Sequence, residues 1–150
     1  MKDHREKAAQ LFMQGCNCSQ AVFAAFADEF GMDEKTALML SSSFGGGMGR
    51  LREVCGAVSA MFMVAGLAAG YSDTSDKSLK DRHYALIQQL AFEFKESFGS
   101  YVCRDILKKD GPEPPVSAER SPDFYKTRPC LKCIVCAAEI LDEHFFQDEK

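Results

Sequence analysis

The cysteine residues carry the clearest chemical signal in the sequence. Seven occur among the 150 residues, and Cys130, Cys133 and Cys136 form a CxxCxxC motif. Positions three apart are neighbours on a helix, so these thiols can share a metal ion or exchange as a dithiol. A ferredoxin-type run would continue with a cysteine where Ile140 stands, and a thioredoxin motif would lie in a βαβ unit. Neither signature is met, and metal binding and redox exchange both stay open.

Two further cysteines flank a predicted helix start. Cys16 and Cys18 lie on either side of Asn17, and Gln20 is spaced to complete a capping box with that asparagine. Cys16 then lies outside the helix and Cys18 is its first residue, where the helix dipole favours a thiolate. The alternative for Cys18 is a small core residue at a helix start.

The segment FGGGMGR at 44–50 is predicted to be a turn, because four glycines in five positions would destabilise a helix by about 1 kcal/mol each. A glycine-rich turn before a helix can present backbone N–H groups to an anion or a thiolate, and Cys55 follows closely. No Lys-Ser or Lys-Thr pair follows, which excludes a P-loop. The alternative is a tight interhelical turn beside a buried cysteine. The residues predicted here to bind a cofactor are Gly46, Gly47, Gly49 and Arg50.

Helical spacing of apolar residues dominates the chain, and no run of strict alternation stands out. We therefore predict an all-α fold, a compact bundle of about five to six helices around a buried central helix. The fourth helix is the central one, and it places Cys55 one turn from its start. The predicted helical segments are 3–14, 18–30, 34–44, 51–69, 75–98, a short 101–109 and 131–146.

The segment 110–129 contains all five prolines and therefore no long helix. An irregular stretch of this length within a compact domain is often a lid or a wrapping arm. We predict that this Pro-rich loop precedes the last helix within one domain spanning 1–150.

Charge and hydropathy exclude several classes of protein. The net charge is -4 and no basic patch is present, which argues against nucleic-acid binding. Residues 54–71 carry no charge, but their Gly, Ala and Ser content and length favour a buried helix over a membrane span. The charged N-terminus has no secretory core, so we expect a cytoplasmic, reducing location without standing structural disulfides.

Several motifs in order resemble one known family. They are NCSQAV at 17–22, FGGGMGR at 44–50, EVCGAVSA at 53–60, the lone Cys103 after an FGS turn, and Cys130 seven residues before AAEIL. Over roughly 15–142 the chain resembles the C_GCAxxG_C_C family, small proteins named for their cysteine pattern and regarded as redox-active.

The resemblance implies four signature cysteines. On this sequence they are Cys18, Cys55, Cys103 and Cys130, with Cys16, Cys133 and Cys136 as additions. The family's CGAxxG motif reads CGAVSA here, with Ala60 in the glycine position, which puts a close backbone approach there in question. A similar domain occurs in split-Soret cytochromes c, but no C-x-x-C-H haem attachment site is present, so haem is not implied.

Three hypotheses follow for function. The first is a thiol/disulfide oxidoreductase or electron-transfer protein in which the four signature cysteines are catalytic. The second is a zinc or iron–sulfur site with the same four cysteines as ligands, helped by Cys133 or Cys136. The third is a helical module that binds a ligand or partner, with inert cysteines. We expect the partner of this chain to be a redox protein or a small molecule, and the chain to be a monomer or a homodimer.

Overall fold

The fold was obtained as a computed structural model, and it describes residues 3–147. This part of the chain is all-α, as predicted, with eight α-helices, an irregular turn at Gly45–Met48 and no strand. The helices are α1 Arg5–Met13, α2 Cys18–Phe26, α3 Glu34–Ser41, α4 Gly56–Ala69, α5 Lys77–Phe98, α6 Cys103–Leu107, α7 Pro122–Thr127 and α8 Cys130–Phe145. Short 3-10 segments, Ala27–Phe30 and Ser42–Phe44, replace the last turns of the predicted second and third helices.

Helix α4 is the buried central helix that the sequence predicts. It packs between α2 and α8, and Ala57, Val58 and Met61 are fully buried on it. Small residues along α4 let the neighbouring helices approach closely, which buries the large side chains of Phe23 and Phe26 from α2.

Within residues 3–147, no helix is both long enough and apolar enough to cross a bilayer.

The predicted start of the central helix at Leu51 was wrong. The helix begins at Gly56, and Arg50 and Arg52 have positive φ angles of 70° and 60°. Main-chain pairing explains this difference: Val54 and Val102 form an antiparallel bridge, and the Cys55 N–H donates to the Tyr101 carbonyl at 2.9 Å. Sequence periodicity cannot show a pairing between such distant residues.

The Pro-rich segment contains one unpredicted short helix, α7. Ser121 caps it by accepting a hydrogen bond from the Phe124 N–H at 3.2 Å, and Pro122 occupies its first position. Proline is tolerated there because the first N–H groups of a helix have no intrahelical acceptor.

A buried polar contact joins the two ends of the described chain. The His4 N–H donates to one carboxylate oxygen of Asp142 at 2.7 Å, and His4 Nδ1 lies 2.5 Å from the other. The imidazole stacks on Phe26, with ring centroids 4.1 Å apart, and its Nε2 lies 3.1 Å from Glu29. This contact fixes α1 against the C-terminal part of α8.

Candidate functional site

Five cysteines that are distant in sequence line one cavity of about 410 Å³. Each lies at or next to a helix start, so the beginnings of four helices meet around the cavity. Cys18 opens α2, Cys55 precedes α4, Cys103 opens α6, and Cys130 and Cys133 lie in the first turn of α8. The four signature cysteines are therefore brought together, and Cys133 joins them.

The capping box predicted before Cys18 is confirmed. The Gln20 N–H donates to Asn17 Oδ1 at 2.9 Å, and the Asn17 N–H donates to Gln20 Oε1 at 3.1 Å. Asn17 also donates a side-chain hydrogen bond to the Ser42 carbonyl at 3.1 Å. The cap thus fixes both the start of α2 and its position beside the glycine turn.

We expect Asn17→Ala to lower the free energy of unfolding by about 2 kcal/mol, since it removes a cap and a long-range hydrogen bond. Asp33→Ala is the matched control, because Asp33 caps the exposed start of α3 through one hydrogen bond to the Thr36 N–H. It should cost about 1 kcal/mol. Urea denaturation measures both, and equal losses would show that the Ser42 contact contributes nothing.

Burial makes Cys18 a weak acid. It raises the pKa of Cys18 to about 12, with a smaller contribution from the charge of Cys55, while the Gly46 N–H acts in the opposite direction. The dipole at the start of α2 was predicted to favour a thiolate, but desolvation outweighs it here. The Cys18 thiol is therefore protonated at neutral pH in the reduced protein.

A close backbone approach occurs at Gly56 rather than at Ala60. A Cβ atom on Gly56 would lie 2.4 Å from the Cys18 sulfur and 2.8 Å from the Phe44 carbonyl oxygen. Ala60 is fully buried in the core and accommodates its methyl group. The glycine directly after Cys55 was the sequence signal for this contact, and it allows the starts of α2 and α4 to meet.

Cys55 and Cys133 interact directly in the cavity. Their exposed fractions are 7% and 2%. A side-chain hydrogen bond with Cys133, together with burial, raises the pKa of Cys55 well above its ordinary value, and the N–H groups of Val58 and Ala57 offset this only partly. The sequence predicted Cys133 as a metal ligand or as part of an exchanging dithiol, because the CxxC spacing places it beside Cys130 on one helix.

Cys103 is the cavity thiol that a cation contacts directly. Arg52, with 3% of its surface exposed, donates from Nη1 to the Cys103 sulfur at 3.5 Å. The same side chain donates from Nε to Glu113 at 2.6 Å, which fixes the guanidinium. Burial raises the pKa of Cys103 above its ordinary value, and the hydrogen bond and charge of Arg52, with the charge of Arg128, offset this in part. A neighbouring cation stabilises the thiolate, the nucleophilic form.

The pKa of Cys130 depends on three other cavity cysteines, namely Cys18, Cys55 and Cys103. Burial and then the charges of Cys18 and Cys55 raise its pKa to about 12, while Arg128 lowers it. Loss of one proton therefore makes further ionisation in the cavity harder, because the resulting charges repel one another.

The predicted cofactor-binding residues divide into two groups. Gly46, Gly49 and Arg50 line the cavity, as a binding role requires. Gly47 has a packing role instead: its φ is 66°, and a Cβ there would lie 2.6 Å from the Cys103 Cβ atom. The glycine turn therefore positions Cys103 as well as bordering the cavity.

The Pro-rich segment, which the sequence predicts to be a lid or a wrapping arm, borders the cavity. Pro115, Arg120 and Phe124 line it. Arg120 donates to the carbonyls of Phe12 and Cys16 at 3.1 and 2.8 Å. Its guanidinium also lies 4.5 Å from the centroid of the Phe12 ring, so Arg120 is one of the side chains that hold this segment in place.

Two cysteines do not line the cavity. Cys16 and Cys136 are half-buried elsewhere, and Ser97 is a hydrogen-bond partner of the Cys136 thiol. The predicted contribution of Cys136 to a shared site is therefore not supported by its position.

Within the described residues, no three His, Cys, Asp or Glu side chains converge closely enough to hold a metal ion. Zinc and iron–sulfur sites need three or four such ligands. The reduced cavity thus brings the predicted ligands together without the geometry of a formed metal centre, and all seven cysteines are free thiols.

Comparison with known proteins identifies a family. Residues 16–144 match the family described as "Putative redox-active protein (C_GCAxxG_C_C)". Neither the curated proteins nor the solved structures give a match. The matched range covers most of the chain and all seven cysteines. The chain therefore belongs to the C_GCAxxG_C_C family of redox-active proteins.

Proposed function

We propose that this protein is a thiol/disulfide oxidoreductase whose chemistry takes place in the cysteine-lined cavity. The observation that carries the proposal is the meeting of five cysteines from four helix starts around one cavity. Inert core cysteines would have no reason to converge there. A lining of several thiols supplies both an attacking and a resolving group, as disulfide exchange requires.

The contacts favour distinct roles for three cysteines. Cys103 attacks a small disulfide, RSSR, because Arg52 stabilises its thiolate. This step forms a mixed disulfide and releases one RSH. Cys55, whose charge influences Cys103, then displaces the second RSH, and Cys133 attacks Cys55 to give the Cys55–Cys133 disulfide and to restore the Cys103 thiol. Two protein thiols are oxidised and one RSSR is reduced to two RSH.

The end product can be mapped by mass spectrometry. Reduced protein is treated anaerobically with one equivalent of bis(2-hydroxyethyl) disulfide and digested with trypsin. Cleavage after Arg52 and Lys132 places Cys55 and Cys133 on different peptides. We expect these two peptides to be joined by a disulfide and two equivalents of 2-mercaptoethanol to be released.

Two variants on the same helix test the assignment. In Cys133→Ala, oxidation should stop at the Cys55–Cys103 disulfide, because the thiol that displaces Cys103 from Cys55 is missing. Cys136→Ala is the matched control, because Cys136 is on α8 but outside the cavity, and it should form the Cys55–Cys133 disulfide as the wild type does. Any other protein disulfide in Cys133→Ala would exclude this sequence of steps, and unreactive cavity thiols in the wild type would exclude the function.

The same preparation distinguishes the metal hypothesis. Stoichiometric zinc or iron in anaerobically purified protein, together with a melting temperature that falls on chelation, would favour a metal centre over exchange. The proposed chemistry needs free thiols at rest, and a cytoplasmic location, which we also propose, supplies the reducing environment for them.

A further inference from the structure

The cavity is strongly basic as well as rich in thiols. Four arginines line it, and among the lining residues that the structure describes there is no aspartate or glutamate. These arginines come from the segment after the glycine turn and from the Pro-rich segment, namely Arg50, Arg52, Arg120 and Arg128.

The neutralisation of these four charges is incomplete. Glu113 accepts from both Arg50, at 3.1 Å, and Arg52, at 2.6 Å, so one carboxylate serves two cations. Arg120 is held by main-chain carbonyls, which carry no net charge. Arg128 lies 5.2 Å from the ring of Phe124 and has no ion-pair partner within residues 3–147. The cavity therefore carries an excess of positive charge, although the net charge of the whole chain is -4.

Arg50 also has an unused donor. Its Nη1 donates to the Val116 carbonyl and its Nη2 to Glu113, but its buried Nε has no hydrogen-bond partner in the described part of the chain. A buried donor without an acceptor is costly, so such groups usually have a partner in the functional state. An anionic oxygen would supply one.

The remaining walls of the cavity are apolar. Phe12, Ile106, Leu107 and Pro115 are among the lining residues. The volume of about 410 Å³ lies in the range of small-molecule sites. A matching ligand therefore has an apolar body and a negatively charged group.

We propose that the cavity binds a small organic anion, in which an apolar body carries a carboxylate or another anionic oxygen group that pairs with the free arginine charge. Under the function proposed above, on which this assignment of a substrate class rests, the disulfide exchanged at Cys103 is such an anion. Arg128 and Arg50 are the residues expected to contact the anionic group, since guanidinium forms charge-assisted hydrogen bonds with planar oxyanions.

Binding is tested without thiol chemistry, by titrating reduced protein calorimetrically with benzoate and with benzamide. The two probes have the same ring and nearly the same size, and differ in charge. We expect benzoate to bind at least ~10-fold more tightly than benzamide and its affinity to fall as sodium chloride is raised, because salt screens charge pairing. Equal affinities, or no binding of benzoate, would overturn the proposal.

Arg128→Gln should weaken benzoate binding about 10-fold and leave benzamide unchanged. Arg104→Gln is the control, because it changes the net charge equally but affects an arginine outside the cavity that pairs with Glu53 at the surface. Equal weakening in both variants would show a general charge effect and no site. The salt dependence of the wild type remains decisive if Arg128→Gln does not fold.

A reactive pair of probes separates this inference from the proposed function. The dianion 5,5′-dithiobis(2-nitrobenzoate) and the uncharged 4,4′-dithiodipyridine are both disulfides. A faster reaction of the dianion, relative to the same two rates with free cysteine, supports the anion site. Reaction without that preference overturns the anion site and leaves the oxidoreductase standing. Benzoate binding with no reaction of either disulfide supports the anion site and overturns the oxidoreductase.

Discussion

Replacing Gly47 with alanine is expected to lower the free energy of unfolding by about 3 kcal/mol, through a left-handed backbone and a steric clash. The φ angle of Gly47 is 66°, where a Cβ is disfavoured. The added Cβ would lie 2.6 Å from the Cys103 Cβ and 2.8 Å from the Arg52 Cα. Neither neighbour is the end of a flexible side chain, so the backbone itself would have to move.

Gly49→Ala separates the two contributions. Gly49 has a φ of 63°, but an added Cβ there meets no atom within 4 Å. Only the conformational cost remains, and it is about 1 kcal/mol. Urea denaturation followed by circular dichroism measures both variants. If Gly47→Ala loses no more stability than Gly49→Ala, the packing of the glycine turn under Cys103 is not a structural requirement.

Asp142→Ala is expected to lower the free energy of unfolding by about 3 kcal/mol, the cost of breaking a buried polar pair. Asp142 is 2% exposed, and its side chain accepts from the His4 N–H while its second oxygen faces His4 Nδ1. Removal of the carboxylate leaves these two groups buried without their acceptor.

An exposed carboxylate gives the comparison. Asp81 pairs with Lys77 at 2.6 Å on the outer face of α5, and Asp81→Ala should change the free energy of unfolding by no more than about 0.5 kcal/mol. Thermal and urea denaturation of both variants test the difference. A loss below 1 kcal/mol in Asp142→Ala would mean that water or a rearranged neighbour satisfies His4 equally well.

Local signals gave the correct structure wherever neighbours in sequence decide it. The capping box of Asn17 and Gln20 needs only residues three positions apart, so it could be predicted together with the place of Cys18 at the helix start. Gly31 and Gly99 end their helical segments in the left-handed conformation, as glycine allows.

Errors arose where distant residues decide the structure. The predicted start of the central helix was wrong because the pairing of Val54 with Val102 keeps residues 51–55 out of the helix. The contact of His4 with Asp142 joins residues from the two ends of the described chain, and no spacing rule predicts it. Charge counting along the chain likewise missed the basic cavity, because its arginines converge only in three dimensions.

The bridge between Val54 and Val102 has a consequence for how freely this chain can change. The Cys103 N–H donates to the Glu53 carbonyl at 2.6 Å, and the Cys55 N–H donates to the Tyr101 carbonyl at 2.9 Å. These bonds join main-chain atoms only. They connect the segment just before α4 to the segment just after α5, at the open end of the α4–α5 hairpin. Mutations or insertions in the loop between α4 and α5, near Ser72, can therefore accumulate while the separation between Cys55 and Cys103 is preserved. The spacing of these two cysteines is therefore set by the polypeptide backbone.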